Sequence, residues 1–392
     1  MYERMTALKI FHTADWHLGK IVQGVYMTED QAYVLDQFVK EVEEQEPDVI
    51  IIAGDLYDRA VPPTEAVDLL NDILEQLVLK LEIPVLAIAG NHDSPDRIDF
   101  AVKLMERNGL YMTGQLRYPI EPIVMRDEYG EVHFYLIPYA DPAIIRHLIG
   151  DESIRSHNDA MAAIVSHIKS NWDPSARHIL IGHAFVTPYG EQEHNTSDSE
   201  RPLAIGGAEY VNAQLLQDFD YVALGHLHQA HHVGTPHIRY AGSLLKYSIS
   251  EENHYKGYIV VNLAGQEVTT EKILLEPRRN MRRVVGAIAD IERHSINDDY
   301  VYVTLTDENP VLFPMEKIRA VYPNAMHVER MASQRRNSGD NQVRTTSVMK
   351  QELKPLELFA AFYEEVRGTE LTAEKRERFA QAYEQMMQGS EQ

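Results

Sequence analysis

Five short stretches of this chain put metal-ligand side chains directly after apolar runs. The first reads Ile10-Phe11-His12-Thr13-Ala14-Asp15-Trp16-His17, the second Gly54-Asp55-Leu56-Tyr57-Asp58, and the third Gly90-Asn91-His92-Asp93. Ile181-Gly182-His183 and Gly225-His226-Leu227-His228 complete the series. Asp, His and Asn together form a mixed oxygen and imidazole set without sulfur. Such a set suits Mn²⁺, Fe or Zn²⁺ better than an all-oxygen cage for Mg²⁺ or Ca²⁺. So many groups exceed the needs of one ion but fit two ions that share a carboxylate. Two metals about 3.5–4 Å apart activate water and clamp the oxygens of an in-line phosphoryl displacement. Each stretch alone reads equally as a turn, a helix cap or a core histidine; the series carries the metal reading.

Buried strands must deliver these side chains. Val49-Ile50-Ile51-Ile52 is a run of the kind that fills a strand buried on both faces. Ala53-Gly54 ends it, and Asp55 and Asp58 follow. Carboxylates emptied from a core cost several kcal/mol unless something positive meets them. Residues 8–13 and 85–89 read as further strands. Helical spacing appears at Ala32, Leu35, Phe38, Val39 and Val42, and again at Val67, Leu70, Ile73, Leu74 and Leu77. Ser94-Pro95 is a cap and first-turn pair for a helix to about Arg107. This alternation predicts a mostly parallel α/β sheet. Its functional crevice lies beyond the carboxyl ends of the strands, where all five stretches can converge.

Farther along, 123–125 and 132–137 flank Glu128-Tyr129-Gly130-Glu131 and predict a hairpin. A helix is expected over 156–170 and a strand over 179–181. Residues 186–210 form a long polar loop of the kind that is usually functional. Strands near 220–224, 237–241, 257–263 and 267–275 are expected to form an antiparallel extension.

The 392 residues suffice for one large domain and smaller additions. No apolar segment approaches the roughly 18–20 residues of a membrane span, and the N-terminus lacks a signal-peptide core. No membrane association and a cytoplasmic location are expected. The absence of cysteine excludes disulfides and thiolate chemistry. A net charge of −23 argues against coating nucleic acid by bulk electrostatics, though not against a metal-loaded nucleic-acid enzyme. Only 277–350 is less acidic, with 12 Lys/Arg against 9 Asp/Glu and arginine pairs at Arg278-Arg279, Arg282-Arg283 and Arg335-Arg336. Residues 333–348 read as a polar linker. Two amphipathic helices follow, one with Leu356, Phe359, Phe362, Tyr363 and Val366, the other with Phe379, Tyr383 and Met386.

The five stretches resemble the calcineurin-like metallophosphoesterase superfamily. His12-Thr13-Ala14-Asp15-Trp16-His17-Leu18-Gly19, Ala53-Gly54-Asp55-Leu56-Tyr57-Asp58, Ala89-Gly90-Asn91-His92-Asp93-Ser94 and Ala223-Leu224-Gly225-His226-Leu227-His228 are similar to the SbcD-type nuclease subunits of bacteria. Tyr240-Ala241-Gly242-Ser243 and Lys354-Pro355-Leu356-Glu357-Leu358-Phe359 extend the likeness. It implies a mixed-sheet α/β/β/α sandwich with a small α/β capping domain and C-terminal helices. The implied domains are a two-metal nuclease domain over 1–276, a capping, DNA-contacting domain over 277–345, and a linker with a helical partner-binding segment over 346–392.

The resemblance also implies site roles. Asp15, His17, Asp55 and His228 hold one divalent ion, and Asp55, Asn91, His183 and His226 the second, with Mn²⁺ the expected metal. His92 acts on the leaving 3′ oxygen or scissile phosphate, and Asp58 orients it. Relatives from archaea and eukaryotes carry histidine where Asp58 stands, so a second catalytic histidine does not carry over. Arg59 is a candidate phosphate contact. The implied activity is a 3′-to-5′ double-strand exonuclease and single-strand or hairpin endonuclease in DNA repair, recombination and replication. The implied partners are an SbcC-like ATPase with a coiled coil, double- and single-stranded DNA, and a second nuclease subunit in a homodimer. The same core would serve a metal-dependent phosphatase or cyclic-nucleotide phosphodiesterase. A DNA-tethering scaffold without turnover is a third reading, opposed by the complete ligand set and by His92.

Overall fold

The computed structural model describes residues 7–190, 197–200, 209–331, 359–360, 363 and 371–380. The chain divides into two compact units, Met1–Ala332 and Ser333–Gln392. The first is built on two six-stranded sheets. In one, Leu8–Thr13, Val49–Ile52, Val85–Ile88 and Leu110–Thr113 run parallel, and Gly257–Ala264 and Glu267–Leu274 add antiparallel strands beside Leu8–Thr13. In the other, Gly130–Ile137, Arg177–His183, Tyr221–Gly225 and Thr235–Tyr240 are parallel, with Ile123–Asp127 and His231–Val233 antiparallel at the edges.

The isoleucine run shows why the sheets stack. Val49 and Ile51 join an apolar layer that also holds Val132, Phe134, Ile179, Ile181 and Tyr221 from the second sheet. Ile50 and Ile52 point the other way, into a layer with Leu35, Phe38, Leu70 and Ile73 from the helices Thr28–Gln45 and Thr64–Leu74. Side chains alternate across a strand, so an apolar residue at every position supplies both layers. Burial of each such side chain contributes roughly 1.5–3 kcal/mol. Helices Pro142–Ile149 and His157–Ser170 cover the outer face of the second sheet. The fold is therefore the α/β/β/α sandwich.

Two local expectations need correction. Strands 221–225 and 235–240 are not part of an antiparallel extension; they pair parallel within the second sheet. Polar loops separate those strands as readily as hairpins would, so strand direction was not legible there. The helix after Ser94 also breaks, into Pro95–Ile98 and Val102–Met105. Asp99 turns its carboxylate to the amides of Gly114 and Gln115, at 2.7 and 3.1 Å, and Ala101 adopts φ 57°. Ser94 makes no side-chain cap bond.

Residues 281–330 carry a small parallel sheet, ordered Met281–Gly286, Tyr300–Leu305 and His327–Arg330, with its own apolar core. The arginines preceding and within its first strand are paired. Arg279 reaches Asp30 at 3.0 Å, Arg282 reaches Asp299 at 2.7 Å, Arg283 reaches Glu252 at 2.9 Å, and Arg278 lies 3.6 Å from Glu29. Each arginine thus has an acidic partner, and Arg278 and Arg283 remain about half exposed. Arg335 and Arg336 lie outside the described residues, as does most of the linker and C-terminal segment. In the second unit, Phe359 and Phe379 stack with centroids 3.9 Å apart. Among the described residues, no helix is long and apolar enough to cross a membrane.

Candidate metal centre

Past their strand ends, the Asp15 and Asp55 loops continue as a main-chain zipper. Asp15 N donates to Gly54 O at 3.0 Å, His17 N to Asp55 O at 2.9 Å, and Leu18 N to Leu56 O at 2.9 Å. The other stretches dock onto the two carboxylates. His92 N donates to Asp55 Oδ1 at 2.8 Å, and His226 N to both oxygens of Asp15 at 2.9 and 3.1 Å. His183 Nε2 lies 3.4 Å from Asp55 Oδ2 and 3.0 Å from Asn91 Oδ1, with His226 Nδ1 3.3 Å from that same amide oxygen. His17 Nε2 lies 3.6 Å from Asp55 Oδ2 and 3.0 Å from His228 Nε2. All seven candidate ligands meet in one place, and all but Asn91 are buried.

Holding them there strains the backbone. Asp15, His17, Asp55 and His226 have φ of 54°, 47°, 52° and 106°, four of the nine positive-φ non-glycine residues among those described. Each such residue costs on the order of 1–3 kcal/mol, and such strain persists only where the surroundings impose it. Glycine is required at two close approaches. A Cβ on Gly54 (φ +93°) would lie 2.3 Å from His183 Nδ1, and one on Gly90 would lie 2.2 Å from Asp55 Oδ1.

Burial and close contact shift these groups in different directions, Asp15 being raised to about 7 by burial. Burial pushes His17 and His226 well below the usual imidazole range, leaving neutral rings with a lone pair to give. Burial opposes charge on His183 too, but Asp55 outweighs it and raises that ring to about 9. At Asp55 burial is likewise overcome, chiefly by His183, and the carboxyl is held well below its ordinary value. Two carboxylates, an amide oxygen and four imidazoles, with two Nε2 atoms face to face at 3.0 Å, fit a pair of divalent cations. Asp15/His17/His228 and Asp15/Asp55/His183 each bring their donor atoms within 4.8 Å of one another, as do His17/Asp55/His92.

His92 sits beside the cluster, its ring 4.6 Å from that of His17. Asp58 does reach it, but through the main chain: His92 Nδ1 donates to Asp58 O at 2.8 Å. The Asp58 carboxylate is instead bonded to Lys20 Nζ at 2.7 Å. Arg59 is half exposed, 3.9 Å from Asp58.

Several supporting residues were not picked out from sequence. Asp93 accepts from the amides of Gly90, Leu56 and Tyr57 at 2.9, 3.1 and 2.9 Å, locking the second stretch to the third. Buried Gln31 donates to His17 O at 2.8 Å and accepts from Gly19 N at 3.1 Å. Ser199, Glu200, Glu251 and Lys256 surround His228. Asp93 lay inside a quoted motif; the others carry no local signal.

The family profile described as calcineurin-like phosphoesterase matches residues 8–230. A second, described as the type 5 capsule protein repressor C-terminal domain, matches 277–367. The chain is 38% identical over 324 residues to the SbcD component of nuclease SbcCD from Staphylococcus epidermidis, covering 81% of this chain and 84% of that one. Among solved structures, GAP50 of the Plasmodium inner membrane complex aligns at TM-score 0.42 and 12% identity, over 85% of this chain and all of that one. A dimetal phosphatase from Danio rerio aligns at 0.41 and 13%, over 68% and 99%. Both likenesses are too slight to carry an argument.

Proposed function

We propose that this chain, which belongs to the calcineurin-like phosphoesterase family and to its SbcD branch, is the nuclease subunit of an SbcCD-like complex that hydrolyses DNA phosphodiesters. The observation that carries the reading is the convergence of seven ligand-type residues on strained strand ends with His92 beside them. Asp15, His17, Asp55 and His228 would hold one ion and Asp55, Asn91, His183 and His226 the other. Two such ions, Mn²⁺ in this reading, would supply an activated water near neutral pH and would neutralise phosphoryl oxygens.

The chain's own residues do the rest. Asp58 O can only accept, so His92 carries a proton on Nδ1, which turns the Nε2 edge of the ring away from Asp58. With a second proton on Nε2, as the imidazolium, it serves the scissile phosphate or the leaving 3′ oxygen as donor and is left neutral once that proton is given up. Asp93 and Gln31 fix the loops, so that the donors need not reorganise when substrate arrives. Arg59 is exposed enough to meet phosphate. Residues 277–345 cap the DNA, and 346–392 engage the coiled coil of an SbcC-like ATPase. Exposed Phe100 and Leu104, on the broken helix, support pairing with a second copy. The complex works in the cytoplasm, in DNA repair, recombination and replication.

The test is digestion of 3′- and 5′-labelled duplex and hairpin DNA, with and without Mn²⁺, alongside small phosphoesters. Metal-dependent shortening from 3′ ends and hairpin opening are expected. Turnover of small phosphoesters with intact DNA would overturn the nuclease reading in favour of a phosphatase.

A further inference from the structure

Every polar atom of His228 is engaged, and most of its partners lie outside the motif that contains it. Its N–H donates to Glu200 Oε1 at 2.6 Å. Its carbonyl accepts from Lys256 Nζ at 2.9 Å and from Ser243 N at 3.3 Å. Its Nδ1 faces Ser199 Oγ at 2.8 Å and Glu251 Oε1 at 3.2 Å. Behind these contacts Lys256 pairs with Glu251 Oε2 at 2.5 Å and donates to Ser243 Oγ at 2.8 Å. Glu251 is fully buried and Lys256 nearly so.

A buried ion pair is a poor device for stability, since removing both charges from water costs about what their attraction returns. This one has another consequence: it aims a carboxylate oxygen at the back of one imidazole. Ser199 and Glu200, which also reach His228, come from the polar loop. Ser197 N donates to Glu200 Oε2 at 2.9 Å, Ser197 Oγ lies 3.3 Å from Glu251 Oε1, and Ser199 Oγ also donates to that oxygen. The Ser197–Glu200 segment is thus fastened to the core through the surroundings of His228.

An imidazole that gives its Nε2 lone pair to a cation keeps its ring proton on Nδ1, where it must be donated. Two acceptors already stand there. A cation polarises the ring and strengthens that donation, which strengthens the hold on Ser199. By reciprocity, a segment that fixes Nδ1–H favours the cation. We infer that Ser199, Glu200, Glu251 and Lys256 are positioning residues that join ion binding through His228 and docking of the Ser197–Glu200 segment into one linked equilibrium. The inference rests on the reading of His228 as a ligand.

The test uses the full chain stripped with EDTA. Mn²⁺ alone is titrated by calorimetry, and amide hydrogen exchange of 197–200 is followed with and without Mn²⁺. In the unaltered protein, Mn²⁺ should slow exchange of this segment at least about tenfold. Ser199→Ala and Glu251→Gln should weaken Mn²⁺ binding about 10–100-fold, the usual effect of losing a group behind a metal ligand, and should erase the protection. Ser199→Thr keeps the hydroxyl and should retain both. Asp15→Asn, which alters another ligand of the ion that His228 would hold, should also erase the protection. Glu251→Gln leaves Lys256 uncompensated, so Glu251→Gln combined with Lys256→Met is tested beside it, with native melting as the control. Natively melting variants with unaltered Mn²⁺ affinity and unaltered exchange would overturn the linkage. Failure of the unaltered chain to bind Mn²⁺ would instead overturn the metal reading itself, and the linkage with it.

Discussion

His92 Nδ1 donates to the main-chain carbonyl of Asp58 at 2.8 Å, while the Asp58 carboxylate stands 3.9 Å from the same nitrogen and bonds Lys20 Nζ. The two groups of one residue have different effects under mutation. Asp58→Asn keeps the carbonyl and should lower DNA cleavage by less than about tenfold, whereas His92→Gln should lose about 10²–10⁴-fold, the usual worth of a positioned proton donor. Both should retain two ions by elemental analysis. Equal losses in the two variants would return the orienting role to the carboxylate.

The contrast marks what was legible beforehand. Asp55, Asn91, His183 and His228 stand out because each follows an apolar run, and a run of Val and Ile can be read as a strand from its own residues. The same runs predicted a mostly parallel α/β sheet, whereas the second sheet and the α/β/β/α sandwich were expected from the family resemblance alone. Which atom of Asp58 meets His92 depends on where Lys20 reaches, and no spacing encodes that. Glu251 and Lys256 were hidden for the same reason: their partner His228 lies 23 and 28 residues away. The arginine pairs suggested a basic face, but Glu29, Asp30, Glu252 and Asp299 meet them only in the fold.

Phe100 and Leu104 are 78% and 67% exposed where the chain breaks its helix at Ala101. A contact with a second copy, as proposed above, would cover these two side chains. If the proposed homodimer forms through these groups, Phe100→Glu with Leu104→Glu should yield a monomer by light scattering where the unaltered chain gives a dimer, with metal content unchanged. A dimer that survives both substitutions would place the contact between copies elsewhere.

Truncation before Ser347 removes the C-terminal segment and leaves every residue of the metal cluster in place. The shortened protein should bind two ions as before and lose capture of an SbcC-like coiled coil. Retained capture would exclude this segment as the partner site.

His12 joins the two sheets through Tyr221 Oη at 2.9 Å, and burial lowers its ring to about 3. The unfolded chain takes up a proton near pH 6.5 that the folded chain refuses. Stability is therefore full above that pH and is lost as pH falls from about 6.5 toward 3, by up to about 1.4 kcal/mol per pH unit. In EDTA, urea unfolding of His12→Gln should show a pH slope shallower by one proton over this interval. An unchanged slope would mean that His12 protonates within the fold.

Gly54 joins the central strand to the site, and its conformation is tested by adding one methyl group. At φ +93° an alanine is strained, and its Cβ would lie 2.3 Å from His183 Nδ1, the atom that bonds Ala53 O at 2.9 Å. His183 cannot move away without losing that bond, which fixes its ring to present Nε2 toward Asp55 and Asn91. Overpacking of this kind costs about 1–3 kcal/mol. Gly54→Ala should therefore unfold at lower urea by that amount and bind the second ion about 10–100-fold more weakly, while Asp15, His17 and His228 continue to hold the first. Loss of both ions together would show instead that Gly54 holds the shared carboxylate of Asp55, so that the two sites fail as one.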